Sequence, residues 1–447
     1  MTRGSTALAL AGLMMAGNAQ CETLKEALAA AYTANATIQA QRFSQRATDE
    51  QLPQALSGWR PTASLSGDVT RGRQYFNFGG SPVEMLTNRT ATVELDQPLY
   101  RAGVGADIER AKAAIAGGRA DLDAVEQAQL LDAALAYLDV FRDQKVVELN
   151  VNLVEVLTFN RKDVDATFRA GTATETDTSQ AAARLSGAIS GRLGAESQLK
   201  VSRAAFRTLV GDDAQALDQP VPLGLLPGTE EEAMVGAEAR NPAIRSAIQK
   251  LEAARQQVDV VRAQLLPKLD GVIQAQHEDE LFSKSVRLNS ATIGVTASVP
   301  IYEGGTVYAQ TRAARESVSA ADKQQLQTRR EVRQDVSGAW AALAAARAQR
   351  QNFIDQIKAN EVALRDTGKE VAVGTRTRLD YLNAEQELFG SRVNLAVAEH
   401  DILAASFRLE AAMGDFTPAA LGLDVAPYDP STHLDAVKDK WVGTTPP

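Results

Sequence analysis

The chain has 447 residues and a formal net charge of −9, and its composition limits the kinds of protein it can be. Only 5 % of the residues are aromatic, while 45 % are hydrophobic and many of those are alanine. Such a composition favours long alanine-rich helices that touch along narrow seams over thick globular cores. The acidic balance argues against a nucleic-acid partner, which requires a basic surface.

The first 19 residues have the pattern of a secretory signal. Arg3 precedes an apolar stretch at 7–16, and small residues stand where signal peptidase requires them for cleavage after Ala19. This stretch is too short to span a bilayer. The single cysteine, Cys21, excludes an internal disulfide. Because Gln20 precedes it, where bacterial lipoprotein signals place a small residue, we expect Cys21 to carry no lipid.

The most informative feature is a motif that occurs twice, 203 positions apart. The shared residues are Gly171, Thr172, Thr174 and Asp177 in the first copy, and Gly374, Thr375, Thr377 and Asp380 in the second. In each copy a long helix-forming run breaks at Gly-Thr and restarts behind Thr and Asp. The pattern predicts two helix–turn–helix tips, each joining the arms of a long hairpin.

Similarity between the two halves extends over most of the chain. The pairs Gly211-Asp212 and Gly414-Asp415 keep the spacing of 203, and Thr23 and Thr229 each begin a capping box with a glutamate three residues later. We therefore expect a first structural repeat at 20–211, a linker at 212–228, a second repeat at 229–414 and a C-terminal tail at 415–447.

Each repeat contains two segments in which apolar and polar residues alternate, as they do in β-strands. The four predicted strands cover residues 62–74, 89–99, 268–277 and 290–301. Alternation alone fits an ordinary half-buried sheet equally well. The secretory signal, strand lengths of about ten residues and a densely polar face favour a membrane β-barrel. Because four strands cannot close a barrel, several chains would have to share one.

Long helices follow the second and fourth predicted strands. They run from about 102 to 169 and from about 306 to 371, so each is roughly 100 Å long at 1.5 Å per residue. Shorter return helices, at about 178–210 and 379–413, complete antiparallel hairpins. The predicted fold class is mainly α-helical with a membrane β-barrel, built from a duplicated unit of two strands and one long helical hairpin.

Residue patterns that carry catalysis or bind cofactors are absent from the sequence. No phosphate loop, dinucleotide fingerprint or Gly-x-Ser-x-Gly motif occurs. His277, His400 and His433 are scattered along the chain, so no metal site is predicted. The acidic run at 277–280 could bind a cation, but its position after a strand favours a solvated surface loop. We expect no enzymatic activity, no cofactor and no metal.

Three stretches resemble the TolC family of outer-membrane export channels. They are QPLYRAG and VPIYEGG at the strand ends, and VGTRTRLDYLNA at the second tip. The resemblance implies a homotrimer whose twelve-stranded barrel contacts outer-membrane lipid and continues into a periplasmic helical tunnel. It also implies two partners, a periplasmic adaptor (membrane fusion protein) and an inner-membrane ABC or RND transporter.

The same resemblance implies a periplasmic gate at the two tips. The gate residues are Thr176, Asp177, Arg376, Asp380 and Asn383, and the adaptor-docking residues are Gly171, Thr172, Gly374 and Thr375. Arg376 is expected to pair with Asp177 or Thr176 on the other hairpin and hold the two closed. Threefold symmetry would gather three copies of Asp380 around one axis and raise their pKa. The simpler alternative is that Asp380 only caps its helix.

Two positions depart from the best-known member of that family. Asn383 stands where that protein has a second aspartate, and Val371 stands where it has a gate tyrosine. The constriction would therefore be less acidic and less tightly latched.

The predicted function is a passive conduit from the periplasm to the exterior for type I protein secretion. Multidrug or metal efflux through the same kind of channel is the alternative within the family. The stretch 428–441 resembles the tails of members that work in type I secretion. Rivals from other classes are a periplasmic adaptor and a soluble coiled-coil scaffold. An adaptor would have one hairpin flanked by compact β-domains, not two hairpins with paired strands.

Overall fold

The architecture is that of a computed structural model, which describes residues 23–74, 84–214, 217–224 and 226–446. The predicted signal at 1–19 and Cys21 lie outside these residues. The helices within them are α1 (Leu24–Ala34), α2 (Ala36–Asp49), α3 (Gln51–Leu56), α4 (Ala102–Arg169), α5 (Glu175–Val210), α6 (Glu230–Arg240), α7 (Pro242–Arg262), α8 (Thr306–Ala372), α9 (Arg378–Met413) and α10 (Ser431–Val437). The strands are β1 (Thr62–Gln74), β2 (Glu84–Arg101), β3 (Lys268–Asp279) and β4 (Arg287–Ser298).

The four strands form one antiparallel sheet in the order β1-β2-β3-β4. One row across the sheet is Leu65, Val93, Ala275 and Ala291, and the row beside it on the opposite face is Ser64, Glu94, Gln274 and Thr292. The apolar face is open, because the side chains of Leu65 and Ile293 are 78 % and 82 % exposed. The alternation is confirmed, and the alternative of an ordinary half-buried sheet is wrong.

Strand β1 has the predicted bounds, but the other three differ: β2 covers 84–101, β3 ends at Asp279 and β4 covers 287–298. A proline lies near the ends of β2 and β4. The predicted strand 89–99 is part of β2, which continues to Arg101 through a register shift between Pro98 and Tyr100. The last strand lies at Arg287–Ser298 and not at 290–301, so it ends before Pro300. Proline cannot donate a hydrogen bond to the ladder. The first repeat accommodates its proline in a bulge, and the second ends its strand.

The long helices have the predicted extents. Helix α4 has 68 residues and α8 has 67, which makes each about 100 Å long. The return helices α5 and α9 have 36 residues each. They begin at Glu175 and Arg378, slightly before the predicted starts, because a Thr–Asp capping box forms their first turn.

Two asparagines join short helices end to end with the return helices. The Asn35 carboxamide caps the first turn of α2 and donates through Nδ2 to the Leu209 carbonyl near the end of α5, at 3.3 Å. Asn241 does the same for α7, donating to the Ala412 carbonyl of α9 at 2.9 Å. Each side chain thus satisfies terminal groups of two helices. As a result, α2 lies end to end with α5, and α7 lies end to end with α9. These helices pack along α4 and α8.

The thickest core surrounds the first of these joints. There α1, α4, α5, α9 and the chain after α9 bury Tyr137, Phe206, Phe407 and Phe416 completely. The rings of Tyr137 and Phe206 lie 6.3 Å apart, and those of Phe407 and Phe416 lie 5.6 Å apart. The Tyr137 hydroxyl also donates to the Asp218 carbonyl at 2.8 Å. This bond ties the linker to the core.

One predicted cap is only half formed. Thr23 and Glu26 make the complete capping box at the start of α1. At α6 the Thr229 hydroxyl accepts from the Glu232 N–H, but the Glu232 carboxylate accepts from the Gly228 N–H at 2.8 Å. The prediction of a second complete box is therefore wrong, because the carboxylate binds the N–H one residue before the cap.

A stability prediction follows from the glycine that ends α9. Gly414 has φ +85°, and a Cβ there would lie 2.7 Å from the carbonyl carbon and oxygen of Arg240. Gly374 has a similar φ of +79° but no neighbour within 4 Å of such a Cβ. The left-handed conformation alone costs alanine about 1 kcal/mol at either position. We expect Gly414→Ala to lower the thermal-unfolding midpoint of the purified protein more than Gly374→Ala does. Equal midpoints would contradict close backbone packing at this joint.

Candidate functional site at the hairpin tips

The first tip joins α4 to α5 through a turn that glycine permits. Gly171 has φ +78°, and the Thr172 N–H donates to the Thr167 carbonyl at 3.0 Å, which closes the end of α4. The Thr174 hydroxyl then accepts from the Asp177 N–H at 3.3 Å. In return Asp177 Oδ2 accepts from the Thr174 N–H at 2.8 Å. This reciprocal pair begins α5.

The second tip repeats this construction between α8 and α9. Gly374 has φ +79°, and the Thr375 N–H donates to the Glu370 carbonyl at 2.9 Å. Asp380 Oδ2 accepts from the Thr377 N–H at 3.0 Å, and the Asp380 N–H donates to the Thr377 hydroxyl at 3.3 Å. The four residues predicted for docking are exposed at the hairpin ends; they are Gly171, Thr172, Gly374 and Thr375.

The capping contacts favour the charged forms of both aspartates. The N–H and the hydroxyl of Thr174 lower the pKa of Asp177 below its ordinary value. The hydroxyl and the N–H of Thr377 lower the pKa of Asp380, and the nearby Arg376 cation adds to this effect. Thr377 is the N-cap of α9, and Asp380, its N3 residue, completes the capping box. The expected rise in its pKa is not found within one protomer, where no second copy faces it.

Arg376 is not paired with Asp177 or Thr176 within the protomer. Its Nε lies 2.9 Å from Glu370 Oε2, a residue of its own hairpin. The turn explains this, because the Arg376 N–H already points back to the Glu370 carbonyl at 3.4 Å. Thr176 is exposed in the first turn of α5. Within the protomer the partner of Arg376 is therefore on its own hairpin, and a pairing with the first hairpin of a neighbouring protomer stays a prediction.

Two other arginines connect the hairpins near their tips. Arg378, at the start of α9, forms an ion pair with Asp163 of α4. Arg184 of α5 donates through Nη2 to Asn383 Oδ1 at 2.6 Å and through Nη1 to the Leu382 carbonyl at 3.3 Å. Of the predicted gate residues, Asn383 alone is shown in a contact between the two hairpins within the described chain.

Reasoning from the sequence missed Arg184 and Arg378, although the repeat contained a signal. At the spacing of 203, Arg378 stands where the first copy has Glu175, and Arg184 stands where the second copy has Glu387. Equivalent positions therefore carry opposite charges. Such positions on two neighbouring copies of one unit are natural candidates for contacts between them.

An apolar cluster lies beside these polar contacts. Its buried residues are Leu153 and Leu157 of α4, Leu185 and Ala188 of α5, and Leu382 of α9. Burial of apolar surface contributes about 25 cal/mol per Å², whereas an exposed ion pair contributes about 0.2–1 kcal/mol. Four of the five buried residues belong to the first hairpin, so burial of Leu382 against them adds an apolar attraction between the hairpins to the arginine contacts.

The acidic run at 277–280 belongs mostly to β3 and not to a loop after it. Glu278 accepts from Asn88 Nδ2 at 2.7 Å, and Glu280 accepts from the Thr87 N–H at 2.7 Å. The expectation of a solvated loop is wrong because strand pairing continues through Asp279. Among the described residues, no group of three or more His, Cys, Asp or Glu side chains is placed to hold a metal ion.

Two strand pairs with an open apolar face, each leading into a helical hairpin whose longer arm is about 100 Å long, define the class of outer-membrane channel subunits. No helix in the described ranges is long and apolar enough to cross a membrane. The family profile described as "Outer membrane efflux protein" matches residues 27–212 and 234–415. The chain belongs to this family, which is the TolC family that its motifs resemble.

Individual relatives agree with this assignment. The outer membrane efflux protein BepC of Brucella suis is 32 % identical over 446 residues, covering 99 % of this chain and 96 % of that protein. The alkaline protease secretion protein AprF of Pseudomonas aeruginosa is 29 % identical over 275 residues, covering 58 % and 56 %. The Campylobacter jejuni CmeC outer membrane channel has a TM-score of 0.78 at 17 % identity, covering 93 % and 89 %, which shows the shared fold.

Membership of the family defines the general role of the protein. It is a non-enzymatic channel protein of the outer membrane, with helices that extend into the periplasm. Channels of this family are trimers that work with adaptors and inner-membrane transporters.

Proposed function

We propose that three copies of this chain form a passive exit duct, in which twelve strands close one barrel above a continuous helical tunnel. The observation that carries the proposal is the four-stranded sheet itself. Its apolar face is exposed, and β1 and β4 are its two edges. An open edge is not stable in lipid, because its backbone N–H and carbonyl groups lack partners there. Pairing β1 of one copy with β4 of the next removes every edge.

Neighbouring residues of β4 test this barrel. Val295 lies on the apolar face with its side chain 64 % exposed, while Thr296 lies on the polar face opposite Asp270. Arginine facing lipid near the midplane costs about 2–4 kcal/mol. We expect Val295→Arg to reduce the amount of trimer in the outer-membrane fraction, and Thr296→Arg to leave it unchanged. Equal trimer yields from the two variants would contradict the assignment of the faces.

The duct would receive cargo from two partners and perform no chemistry of its own. A periplasmic adaptor would dock on the exposed turns at 171–172 and 374–375, and an inner-membrane ABC or RND transporter would supply energy. The full-length match to BepC, named as an efflux protein, supports export of small molecules as the main activity. Type I protein secretion is the second candidate, supported by the shorter match to AprF, a protease secretion protein.

A deletion strain separates these two cargo classes. We expect loss of this chain to raise intracellular accumulation of a fluorescent efflux dye several-fold, and the plasmid-borne chain to restore the low level. The same cultures report on secretion when the proteins of the cell-free medium are compared. If the medium loses a protein while dye accumulation stays constant, type I secretion replaces efflux. If neither readout changes, the exit-duct proposal is wrong.

We further propose that the two hairpin tips form the gate of the duct. In the described state the tips are held together by Arg378 with Asp163 and by Arg184 with Asn383. A passage at the tips would widen if the second hairpin moved away from the first, and both links would then break. Each link contributes about 0.2–1 kcal/mol because it is exposed. Three protomers would contribute six such links to the closed state.

Single-channel conductance tests these links. We expect Arg184→Ala combined with Arg378→Ala to raise the conductance of the trimer in planar bilayers. The matched control is Arg376→Ala, because the ion pair of Arg376 is with Glu370 of its own hairpin. A rise in the control as large as that in the double variant would instead favour a pairing of Arg376 across neighbouring protomers.

Charge at the gate is tested separately by replacing Asp380. Asp380 is the N3 residue of a capping box, where an uncharged side-chain oxygen can also accept from the N-cap N–H, so Asp380→Asn removes the charge and keeps an acceptor for the Thr377 N–H. We expect this variant to conduct like the wild type but to be blocked less by divalent cations added at the tips. Unchanged block would show that Asp380 serves only as a cap.

A further inference from the structure

The segment after α9 follows α2 and α3 away from the central core. Near the start of this path, the Arg42 guanidinium lies between the rings of Tyr32 and Tyr428, at 4.5 and 4.8 Å. The Tyr428 hydroxyl also accepts from Arg46 Nε at 3.2 Å. The chain is therefore fixed to α2 before α10 begins.

Helix α10 and the residues after it continue along the same path. His433, whose side chain is 9 % exposed, lies with Nδ1 3.4 Å from Asp49 Oδ2 at the end of α2. Farther on, Arg60 donates through Nη1 to the Lys440 carbonyl at 2.8 Å and through Nη2 to the Lys438 carbonyl at 3.3 Å. The path along α2 and α3 from Arg42 to Arg60 is about 27 Å long at 1.5 Å per residue.

This path ends next to the start of the membrane-facing sheet. Arg60 precedes β1 by two residues, and Leu65 of β1 already lies on the exposed apolar face. The Arg60 guanidinium lies 5.0 Å from the centre of the Trp441 ring. Trp441 is 65 % exposed and Val442 is 85 % exposed. Trp441 and Val442 are thus an exposed apolar pair beside the start of the proposed membrane barrel.

The chemistry of this patch fits a phospholipid surface. Tryptophan is favoured at membrane interfaces because its ring is apolar while its N–H can bond to water or headgroups. Within the described chain neither Arg60 nor Lys440 forms an ion pair with a carboxylate, whereas Lys438 pairs with Asp435 at 2.8 Å. Two cations therefore flank the exposed ring, and guanidinium and ammonium groups bind phosphate.

We propose that Lys438–Val442 and Arg60 form a contact site for phospholipids of the outer-membrane leaflet that faces the periplasm. Trp441 and Val442 enter the headgroup region, and Arg60 and Lys440 bind lipid phosphates. Arg60 positions the segment through its two bonds to backbone carbonyls. The proposal rests on the barrel placement of β1–β4 proposed above. It gives the segment after α9 a role in setting the depth of the duct in the membrane.

Fluorescence of single-tryptophan trimers tests this contact. The chain has three tryptophans, Trp59, Trp340 and Trp441. Trp59→Phe with Trp340→Phe leaves Trp441 as the reporter, and Trp59→Phe with Trp441→Phe leaves Trp340, which packs in the core between α6, α8 and α9. Both full-length trimers are reconstituted in phosphatidylglycerol-containing liposomes in which some lipids carry a quencher near the headgroup. We expect strong quenching of Trp441 and none of Trp340.

Contact of Trp441 with protein or with water, and not with lipid, would give different results. If Trp441 is shielded from aqueous acrylamide but not quenched by the lipid, a neighbouring protein covers it and the proposal is wrong. If it is open to acrylamide and not quenched by the lipid, it faces water and the proposal is equally wrong. Channel conductance of the same liposomes is measured in parallel. Loss of conductance in the unmodified trimer would mark a failure of the barrel and not of the lipid contact.

A second variant tests the positioning role of Arg60. Arg60→Gln removes the guanidinium that holds the Lys438 and Lys440 carbonyls, so we expect lipid quenching of Trp441 to fall at least twofold. Lys25→Gln, a change of the same charge on α1, is the matched control and leaves quenching unchanged. Equal quenching in the Arg60→Gln trimer and its parent would overturn the proposed site.

Discussion

The length of α4 and α8 is the constraint on which the rest of the structure depends. Each is nearly twice as long as its return helix, so α5 and α9 cover only about half of it. The uncovered halves need other helices to bury their apolar residues, and α2 and α7 supply them. The joints at Asn35 and Asn241 therefore fall near the middle of the molecule. The aromatic core and the bond from Tyr137 to the linker lie at this level too, where α2 follows α5 along α4.

The hairpin tips show how one set of residues serves folding and the proposed gate together. Asp177 and Asp380 each begin a helix by accepting hydrogen bonds, and the same bonds lower the pKa of each carboxylate. A charge kept for capping is then available at the end of the hairpin for cations or for a partner. Mutations to alanine at these positions confound the two roles. Substitution by asparagine separates them, because a side-chain oxygen that can accept from the N-cap N–H remains when the charge is removed.

Much of this fold could be predicted from the sequence because its signals are local. Capping residues marked the starts of α5 and α9 to within a turn, and alternation located all four strands. The extension of β2 beyond Pro98 could not be predicted, because a bulge depends on how the neighbouring strand pairs. The partner of Arg376 within the protomer could not be predicted for a similar reason. Its side chain can reach several carboxylates, and only the folded turn places Glu370 nearest.

Duplication followed by divergence has left the two hairpins with different charges at equivalent positions near the tips. This chain has Glu175 and Arg378 at one equivalent position, and Arg184 and Glu387 at another. The arginine of each pair reaches the opposite hairpin, Arg378 to Asp163 and Arg184 to Asn383. The capping residues meanwhile stay the same in both copies, because each helix must begin in the same way. The capping residues shared by both copies thus serve the start of each helix, whereas the arginines found in one copy only make contacts between the hairpins.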